Sequence, residues 1–394
     1  MSIQALTDDG STVTYKDRRR LLWSLSLVWP LMPVAACVLA LSLDSAAWFW
    51  ATLMVWYLIV PIIDHVLPAD ASNPPEEVVP QLEADRYYRT LTYLTVPIHY
   101  FTLVFTAYVV GTQDLPWHAV VGLALSVGVV NGLAINTGHE LGHKKTRLER
   151  WLAKAVLAVV GYGHFFVEHN RGHHKDVATP EDPASAKMGE TIYGFARSEI
   201  PGAMRRAWES EKVRLARRDQ GPWSLDNEVL QPLLITLPLY LGLVVAFGWV
   251  MLPFLFLQAF WGWFGILSSA NYIEHYGLLR QKRENGRYEP CQPQHSWNSN
   301  HVMSNVILFN LQRHSDHHAN PTRRYQSLRS FEALPELPSG YPFMFALALI
   351  PPLWFKVMDP KVVAWAGGDS SKVNILPSKR TRLLPLFADS SRND

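Results

Sequence analysis

Cysteine and net charge are both scarce in this chain. Its 394 residues include two cysteines, and its formal net charge is +2. Cys37 lies in an apolar stretch and Cys291 in a polar one, which argues against a disulfide framework. The sequence has no C-x-x-C pair, so it carries no iron–cysteine or zinc-ribbon centre of its own. The nearly balanced charge gives no indication of a nucleic-acid-binding protein.

Long apolar stretches are abundant, since 48% of the residues are hydrophobic. A helix needs about 20 apolar residues to cross the roughly 30 Å hydrocarbon core of a bilayer. The uncharged stretch from Val229 to Ile273 is long enough to cross twice, with a turn near 248–253. Together with four earlier stretches, it predicts six membrane spans: 21–43, 46–67, 89–111, 116–137, 231–250 and 252–272.

The basic residues predict how these spans are oriented. The short connections 44–45, 112–115 and 248–253 contain no Lys or Arg, whereas the long polar segments contain many. Because Lys and Arg concentrate on the cytoplasmic side, both termini are expected there. We therefore predict an all-α integral membrane protein with a cytoplasmic histidine-rich region. Its predicted parts are an N-terminal segment, 1–20, a six-span domain, 21–358, with cytoplasmic segments at 138–230 and 273–358, and a cytoplasmic C-terminal tail, 359–394.

Two shorter apolar stretches do not fit a membrane span. Residues 151–167 are interrupted by Lys154 and by glycines, and residues 342–357 are broken by Pro351 and Pro352. We expect both stretches to lie at the membrane interface or to pack against the bundle of spans.

Nine of the fifteen histidines fall into four compact groups on the predicted cytoplasmic side. The groups are HELGH at 139–143, HNRGHH at 169–174, a single histidine after the sixth span, and HSDHH at 314–318. Residues three or four apart lie on one face of a helix, so each larger group directs several imidazoles the same way. The pattern predicts a metal site formed by His139, His143, His169, His173, His174, His275, His314, His317 and His318.

The type of metal follows from the chemistry of the ligands. Imidazole binds zinc, copper, iron and nickel, but a catalytic zinc site takes only three protein ligands. Nine histidines suit two metals with four or five ligands each, and the absence of cysteine from every group argues against soft-ligand copper or iron–sulfur chemistry. Two iron ions with open positions for dioxygen are the favoured interpretation. The spacing alone does not exclude a dinuclear zinc hydrolase.

The sequences around these histidines resemble a known family. HxxxH, HxxxHH and HxxHH are the histidine boxes of integral-membrane di-iron desaturases and hydroxylases. More narrowly, NTGHELGHK, EHNRGHHKDVATPEDPAS, NYIEHYGL and LQRHSDHHANPTRRYQSLR resemble the bacterial alkane 1-monooxygenases. The desaturases share the boxes but not their surroundings. The resemblance extends from the first span to about residue 355.

This resemblance implies an activity, a cofactor and partners. The nine histidines would bind two non-haem iron ions, and the enzyme would hydroxylate the terminal methyl group of medium-chain n-alkanes with dioxygen. The alkane would enter from the membrane. Two electrons would come from rubredoxin, which a rubredoxin reductase reduces. Because the chain lacks the cysteines of a rubredoxin, the donor is expected to be a separate protein.

Each histidine group has a carboxylate next to it in the sequence. Because adjacent residues diverge on a helix, such a carboxylate is poorly placed to bind the same metal as its neighbour. It is well placed to accept a hydrogen bond from a ligating imidazole of another helix. The candidates for this role are Glu140, Glu168, Glu274 and Asp316. The alternative for each is a salt bridge to Lys144, Arg171 or Arg313.

Further residues have weaker functional hypotheses. Trp56 lies in the aromatic-rich second span, and the resemblance implies that a bulky side chain there limits the length of the alkane; ordinary packing is the alternative. Exposed basic residues would attract an acidic electron carrier, unless they only reflect the basic cytoplasmic side. These basic residues are in 205–218 and at Arg280, Lys282, Arg283, Arg323 and Arg324. Structural hydrogen bonding is expected for His65, His99, His118, His164, His295 and His301.

Other functions stay open at this point. The nearest alternatives are an aryl-methyl hydroxylase of the xylene type and a fatty-acyl desaturase. HELGH also matches the H-E-x-x-H helix of zinc proteases, in which Glu140 would be the general base. A metal-transport protein is less consistent with the pattern, because its ligands would follow a path through the spans.

Overall fold

The computed structural model describes residues 2–390 and begins with a short β-hairpin. Strand β1, Ile3–Leu6, pairs antiparallel with β2, Thr12–Tyr15. The side chain of Ile3 is buried in a cluster that includes Val78. The N-terminal segment is therefore folded against the loop between the second and third predicted spans, which its sequence did not indicate.

Helices make up most of the remaining described chain. In chain order they are α1 Leu22–Ser42, α2 Ala46–Val66, α3 Val79–Ala84, α4 Arg86–Thr112, α5 Trp117–Gly142, α6 Arg147–Ala158, α7 Phe165–Glu168 with a π-helical continuation His169–His173 and a last turn His174–Asp176, α8 Ile192–Ala216, α9 Leu230–Phe247, α10 Met251–His275, α11 Val302–Ile307, α12 His314–Ala319, α13 Tyr341–Ala348, α14 Pro351–Trp365 and α15 Arg380–Ser390. Short 3₁₀ helices lie at Glu76–Val78, Pro293–His295, Tyr325–Ser327, Ser370–Lys372 and Pro377–Lys379.

Within residues 2–390, six helices are long and apolar enough to cross a membrane. They are α1, α2, α4, α5, α9 and α10, which confirms the predicted all-α membrane fold. Two of them continue past their predicted ends at 137 and 272, since α5 ends at Gly142 and α10 at His275. These extensions carry histidines of the predicted metal site on the same rigid helices that cross the membrane.

The two shorter apolar stretches pack against the bundle, as predicted. Helix α6 packs against α5 and α9. Helices α13 and α14 are bent by 120° relative to each other, because Pro351 and Pro352 start a new helix after Ile350. Helix α13 packs against α2 and α10.

Helix α5 is the most buried of the membrane helices among the described residues, and small residues allow its neighbours to approach it. A Cβ atom at Gly128 would lie 2.8 Å from Cβ of Trp261, and one at Gly132 would lie 2.6 Å from Cβ of Ile266. Close approach through glycine is a common way for membrane helices to pack. The contact fixes α10 against α5, and both helices lead into the histidine groups.

A chain of polar side chains connects four of the spans inside the bundle. The amide oxygen of Asn131 lies 3.3 Å from Nδ1 of His99, and its NH₂ group donates to Gln258 over 3.1 Å. The amide of Gln258 donates in turn to the hydroxyl of Tyr240. This confirms hydrogen bonding as the role expected for His99, because a polar group in a membrane interior needs a partner.

The C-terminal tail folds back onto the two long polar segments. The backbone N–H of Met188 donates to the carbonyl of Asn374 over 2.7 Å, and the N–H of Asn374 donates to the carbonyl of Gly277 over 3.0 Å. Leu383 and Phe387 of α15 belong to the main hydrophobic core. The tail thus joins segments that are far apart in the sequence.

Candidate metal centre

The nine predicted histidines come together beyond the ends of α5 and α10. In residues 2–390 they form two groups, and within each group one ring nitrogen from every member lies within 4.8 Å of the others. The first group is His139, His143, His169, His174 and His317. The second group is His173, His275, His314 and His318.

The two histidine doublets are divided between the groups. His173 and His174 are adjacent in the sequence but face different groups, and the same holds for His317 and His318. Successive residues of a helix point about 100° apart, so a doublet can serve two neighbouring metals. Spacing in the sequence left this assignment open.

The inward-facing nitrogens are spaced as metal ligands are. Two ligand bonds of about 2.0–2.1 Å place their nitrogens roughly 3 Å apart. Hydrogen bonds alone do not account for the clusters, because a neutral imidazole has only one N–H. The Nε2–Nε2 distances are 2.7 Å for His139–His317, 3.0 Å for His174–His317, 3.0 Å for His169–His174, 2.9 Å for His314–His318 and 3.3 Å for His275–His314.

Among the nine histidines, two Nε2 atoms are buried without a hydrogen-bond partner in the described chain, as are Nδ1 of His314 and Nδ1 of His318. The two Nε2 atoms belong to His143, in the first group, and to His173, in the second. A buried polar atom without a partner is rare unless it binds an ion or water. The residues present therefore fit a metal ion in each group.

Burial keeps most of these imidazoles neutral, which is the form that binds metals. It disfavours the charged ring, and the neighbouring histidines add to the effect. The pKa accordingly lies well below its usual value for His143, His169, His174, His314, His317 and His318.

His173 behaves differently because a carboxylate faces it. Burial lowers its pKa, but the charge of Asp182 outweighs burial and raises the pKa above its usual value. Its Nδ1 lies 2.9 Å from Oδ2 of Asp182, which also accepts a hydrogen bond from Ser185. Burial alone would raise the pKa of Asp182, but His173 lowers it to about 2.

Asp182 contacts the candidate metal centre but is not among the residues predicted from the sequence. It fixes the ring orientation of His173, as a carboxylate commonly does for a metal-binding histidine. Asp182 lies in the string HHKDVATPEDPAS, and adjacency to a histidine does not reveal it, because His174 is eight residues away. A backbone group has the same role at His275, whose Nδ1 lies 3.0 Å from the carbonyl oxygen of His295.

Two of the four predicted carboxylates are ion-paired away from the imidazoles. Glu140 lies 3.1 Å from Nζ of Lys144, which is the salt bridge considered as its alternative. Asp316 lies 3.1 Å from Arg323, whereas Arg313 was the partner considered from the sequence. With its charge paired in this way, Glu140 is not placed as the general base of a zinc protease.

The other two carboxylates lie closer to the histidine groups. Oε2 of Glu274 is 3.3 Å from Nε2 of His314, the nitrogen that faces the second group. Oε1 of Glu168 is buried without a hydrogen bond, 3.6 Å from Arg206. Arg171, one of the three predicted cations, pairs with Glu211 and Glu228 instead of with any of the four carboxylates.

An apolar cavity leads up to the histidines. Imidazoles of both groups and the carboxylate of Glu274 form one end of it, and aliphatic side chains form most of the remaining wall. Phe345 lines the cavity, and the ring of Trp56 lies behind it with a centroid distance of 6.3 Å. Trp56 is fully buried and also contacts Trp29.

Comparison with known proteins agrees with this site. The sequence matches the family model of fatty acid desaturases over residues 115–348. The alkane 1-monooxygenase of Ectopseudomonas oleovorans is 58% identical over 97% of this chain and 95% of its own length. Alkane 1-monooxygenase 1 of Alcanivorax borkumensis is 57% identical over 96% and 95%. The hydroxylase component of the xylene/toluene monooxygenase of Pseudomonas putida is 30% identical over 86% and 90%. The chain therefore belongs to the alkane 1-monooxygenases, membrane-bound monooxygenases within the histidine-box superfamily of desaturases and hydroxylases.

Proposed function

We propose that this enzyme hydroxylates the terminal methyl group of medium-chain n-alkanes at two iron ions held by the nine histidines. The observation that carries the proposal is the convergence of two imidazole groups at one end of an apolar cavity. The overall reaction is alkane, dioxygen, two electrons and two protons giving the 1-alkanol and water. Iron bound at these groups would supply the binding and reduction of dioxygen.

Iron is favoured over other metals by the donor set. Every predicted ligand is an imidazole, and no cysteine lies in either group. Imidazole suits iron, and a four- or five-ligand site leaves a position open for dioxygen. The protein would hold the second group in place through Asp182 and the carbonyl of His295, which orient His173 and His275.

The cavity supports an alkane as the substrate. An alkane has no polar handle, so it is positioned by the shape of an apolar pocket. Ile266, Leu267, Leu308 and Leu311 form the wall next to the histidines, and these side chains also exclude water from the reacting carbon. Trp56 and Phe345 together form a large aromatic wall that would limit how far a long alkane enters.

A separate rubredoxin, reduced by its reductase, is the proposed electron donor. Several basic residues considered for docking are engaged inside the protein: Arg280 donates to backbone carbonyls, Arg323 pairs with Asp316 and Arg324 pairs with Glu149. Lys282 and Arg283 are exposed in a hairpin that follows α10. Complementary charge would speed the encounter of an acidic carrier with this hairpin.

The proposed topology places the histidine groups and both termini in the cytoplasm of a bacterial cell, with the spans in the inner membrane. Lys and Arg are concentrated in the segments that would be cytoplasmic, in agreement with the positive-inside rule. The proposed boundaries are 1–20 for the N-terminal segment, 21–358 for the membrane domain and 359–394 for the tail. A cytoplasmic rubredoxin would then have direct access to the metal centre.

The test is anaerobic iron loading of the purified protein, followed by turnover of octane with dioxygen, rubredoxin and rubredoxin reductase. We expect about two irons per chain, one for each histidine group, and 1-octanol as the product. A parallel reaction with p-xylene addresses the aryl-methyl alternative, which the 30% identical relative favours. Oxidation of p-xylene without any octanol would overturn the alkane assignment.

A further inference from the structure

A buried carboxyl group lies behind the cavity and outside the histidine groups. Glu199 of α8 is 1% exposed. Its Oε2 accepts a hydrogen bond of 2.6 Å from the hydroxyl of Ser268, and its Oε1 accepts one of 3.1 Å from the amide of Asn271. No Lys, Arg or His side chain in residues 2–390 forms an ion pair with it.

Without a cation, the neutral form of this group is favoured. An ionised carboxylate is costly to bury unless it is paired. Burial raises the pKa of Glu199 to about 7, and the charge of Asp182 contributes to the increase. The surroundings of Glu199 therefore favour its protonated form more than those of an ordinary surface carboxylate do.

Glu199 is one hydrogen bond away from the wall of the cavity. Asn271, which holds its Oε1, lines the cavity together with Glu274 and His139. The rest of the wall is mostly aliphatic and provides few groups that can carry a proton. Glu199 is thus a carboxyl group that can hold and release a proton close to the site where dioxygen would be reduced.

The same helix also connects Glu199 to the polar surface. Arg206 lies two helical turns further along α8, on the same face, with the small Ala203 between them. Arg206 lines a polar surface cavity and contacts Asp182 and Asp176. The side chain of Tyr162, which is also buried, lies close to Glu199.

We propose that Glu199 delivers protons to the metal centre while dioxygen is reduced, and is reprotonated from the polar face near Arg206. The inference rests on the proposed function. Each turnover takes up two protons and two electrons, the electrons coming from the electron-transfer protein, and it yields one alcohol and one water. Glu199 loses a proton to the reduced oxygen and regains one from solvent, so it is unchanged at the end. Ser268 and Asn271 hold its carboxyl in position.

The central experiment compares the wild type with Glu199→Gln, Glu199→Asp and Glu190→Gln. Glutamine keeps the size and hydrogen bonding of Glu199 but has no acidic proton. We expect Glu199→Gln to bind iron normally, to lose about 100-fold in octanol formation and to show a larger solvent deuterium isotope effect. Glu199→Asp should recover part of the activity. Glu190→Gln, a nearby buried carboxylate that accepts a hydrogen bond from the backbone of Lys187, is the matched control and should behave as the wild type.

An infrared measurement tests the proton itself, independently of turnover. The protonated carboxyl of Glu199 should give a C=O band that shifts in deuterium oxide, and the band should be missing in Glu199→Gln, with or without iron. Unchanged turnover and isotope effect in Glu199→Gln, or a spectrum without a Glu199 band, would overturn the inference. Absence of octanol in the wild type would overturn the proposed function instead. If the Glu199→Gln protein cannot be produced, Glu199→Asp takes its place in the test. Turnover by Glu199→Asp equal to that of the wild type would overturn the inference.

Discussion

Single residues determine how the imidazoles are held, and Asp182 is one of them. It is buried, it contacts Nδ1 of His173, and it is itself held by Ser185 and Arg206. Groups that hydrogen-bond to metal ligands fix the ring orientation and increase the basicity of the coordinating nitrogen. The second histidine group therefore depends on a residue that is not predicted to bind metal.

Asp182→Asn is expected to lower the iron affinity or the octanol turnover by about 10–100-fold, because the neutral amide supports His173 less well. Equilibrium iron binding against a chelator and octanol formation measure the effect. Glu209→Gln, which changes an exposed carboxylate of α8 paired with Lys212, is the control. Iron affinity and octanol turnover of Asp182→Asn that both equal those of the control would contradict the prediction.

Phe345 and Trp56 are both predicted to limit the length of the alkane, Phe345 first and Trp56 behind it. Phe345 lines the cavity and Trp56 lies behind it, so Phe345→Leu should shift the product profile toward longer alkanes more than Trp56→Ser does. Competition among alkanes of different lengths measures the profile. Phe343→Leu changes an exposed aromatic residue of the same helix and should have no effect. If neither Phe345→Leu nor Trp56→Ser changes the product profile, these two aromatic residues do not limit the length of the alkane.

Sequence patterns revealed the histidines but not the groups that orient them. Spacings of three and four residues select the histidines of the three larger groups, and His275 is selected by its position at the end of the sixth span and by the resemblance to the family. Asp182 reaches His173 across a loop, and the carbonyl of His295 has no side-chain signature, so neither contact could be derived from spacing. Glu199 was missed for the same reason, because only the packing of α8 on α10 brings it to the cavity.

At the scale of elements, the position of α10 against α5 aligns the two halves of the metal centre. Helix α5 carries His139, and α10 ends with His275. Glycines of α5 leave room for α10, and both helices extend beyond the membrane. The sequence predicted these spans from their length, but it underestimated their extent because the helices continue in polar residues that are buried against each other.

Gly128→Ala is expected to push α10 away from α5. The added Cβ would lie 2.9 Å from the carbonyl oxygen of Gln258 and 2.8 Å from Cβ of Trp261. Overpacking of this kind typically costs about 1–3 kcal/mol. Thermal unfolding in detergent should show a lower Tm, with a lower iron content because His275 moves. Gly242→Ala is the control, since a Cβ there would meet nothing within 4 Å, and an equal Tm for both variants would contradict the argument.

At the scale of the whole molecule, the buried histidines make stability depend on pH. The unfolded chain takes up protons on these residues as the pH falls through about 6.5, whereas the folded metal-free protein does not. The unfolded state then binds more protons, so the free energy of unfolding decreases as the pH falls. Six histidines contribute in this direction: His143, His169, His174, His314, His317 and His318.

We therefore expect the Tm of the metal-free protein to fall between about pH 7 and about pH 5. The raised pKa values of His173, Glu168, Glu199 and Asp359 act in the opposite direction, but these four groups are fewer than the six histidines. Iron loading should make the Tm depend less on pH, because the metal holds the imidazoles neutral. Thermal unfolding of both forms across this range measures the effect. A Tm that rises on acidification of the metal-free protein would contradict it.

The return of the C-terminal tail has a consequence for how the protein is made. Asn374 joins Met188 to Gly277, and α15 completes the core only near the end of the chain. The two polar segments also meet without the tail, because the N–H of Gly277 donates to the carbonyl of Ala186 over 2.9 Å and the N–H of Gly189 donates to the hydroxyl of Tyr276. A ribosome synthesises these segments before the tail, so the first contacts between them can form during translation, and the tail then adds a second connection to a junction that already exists.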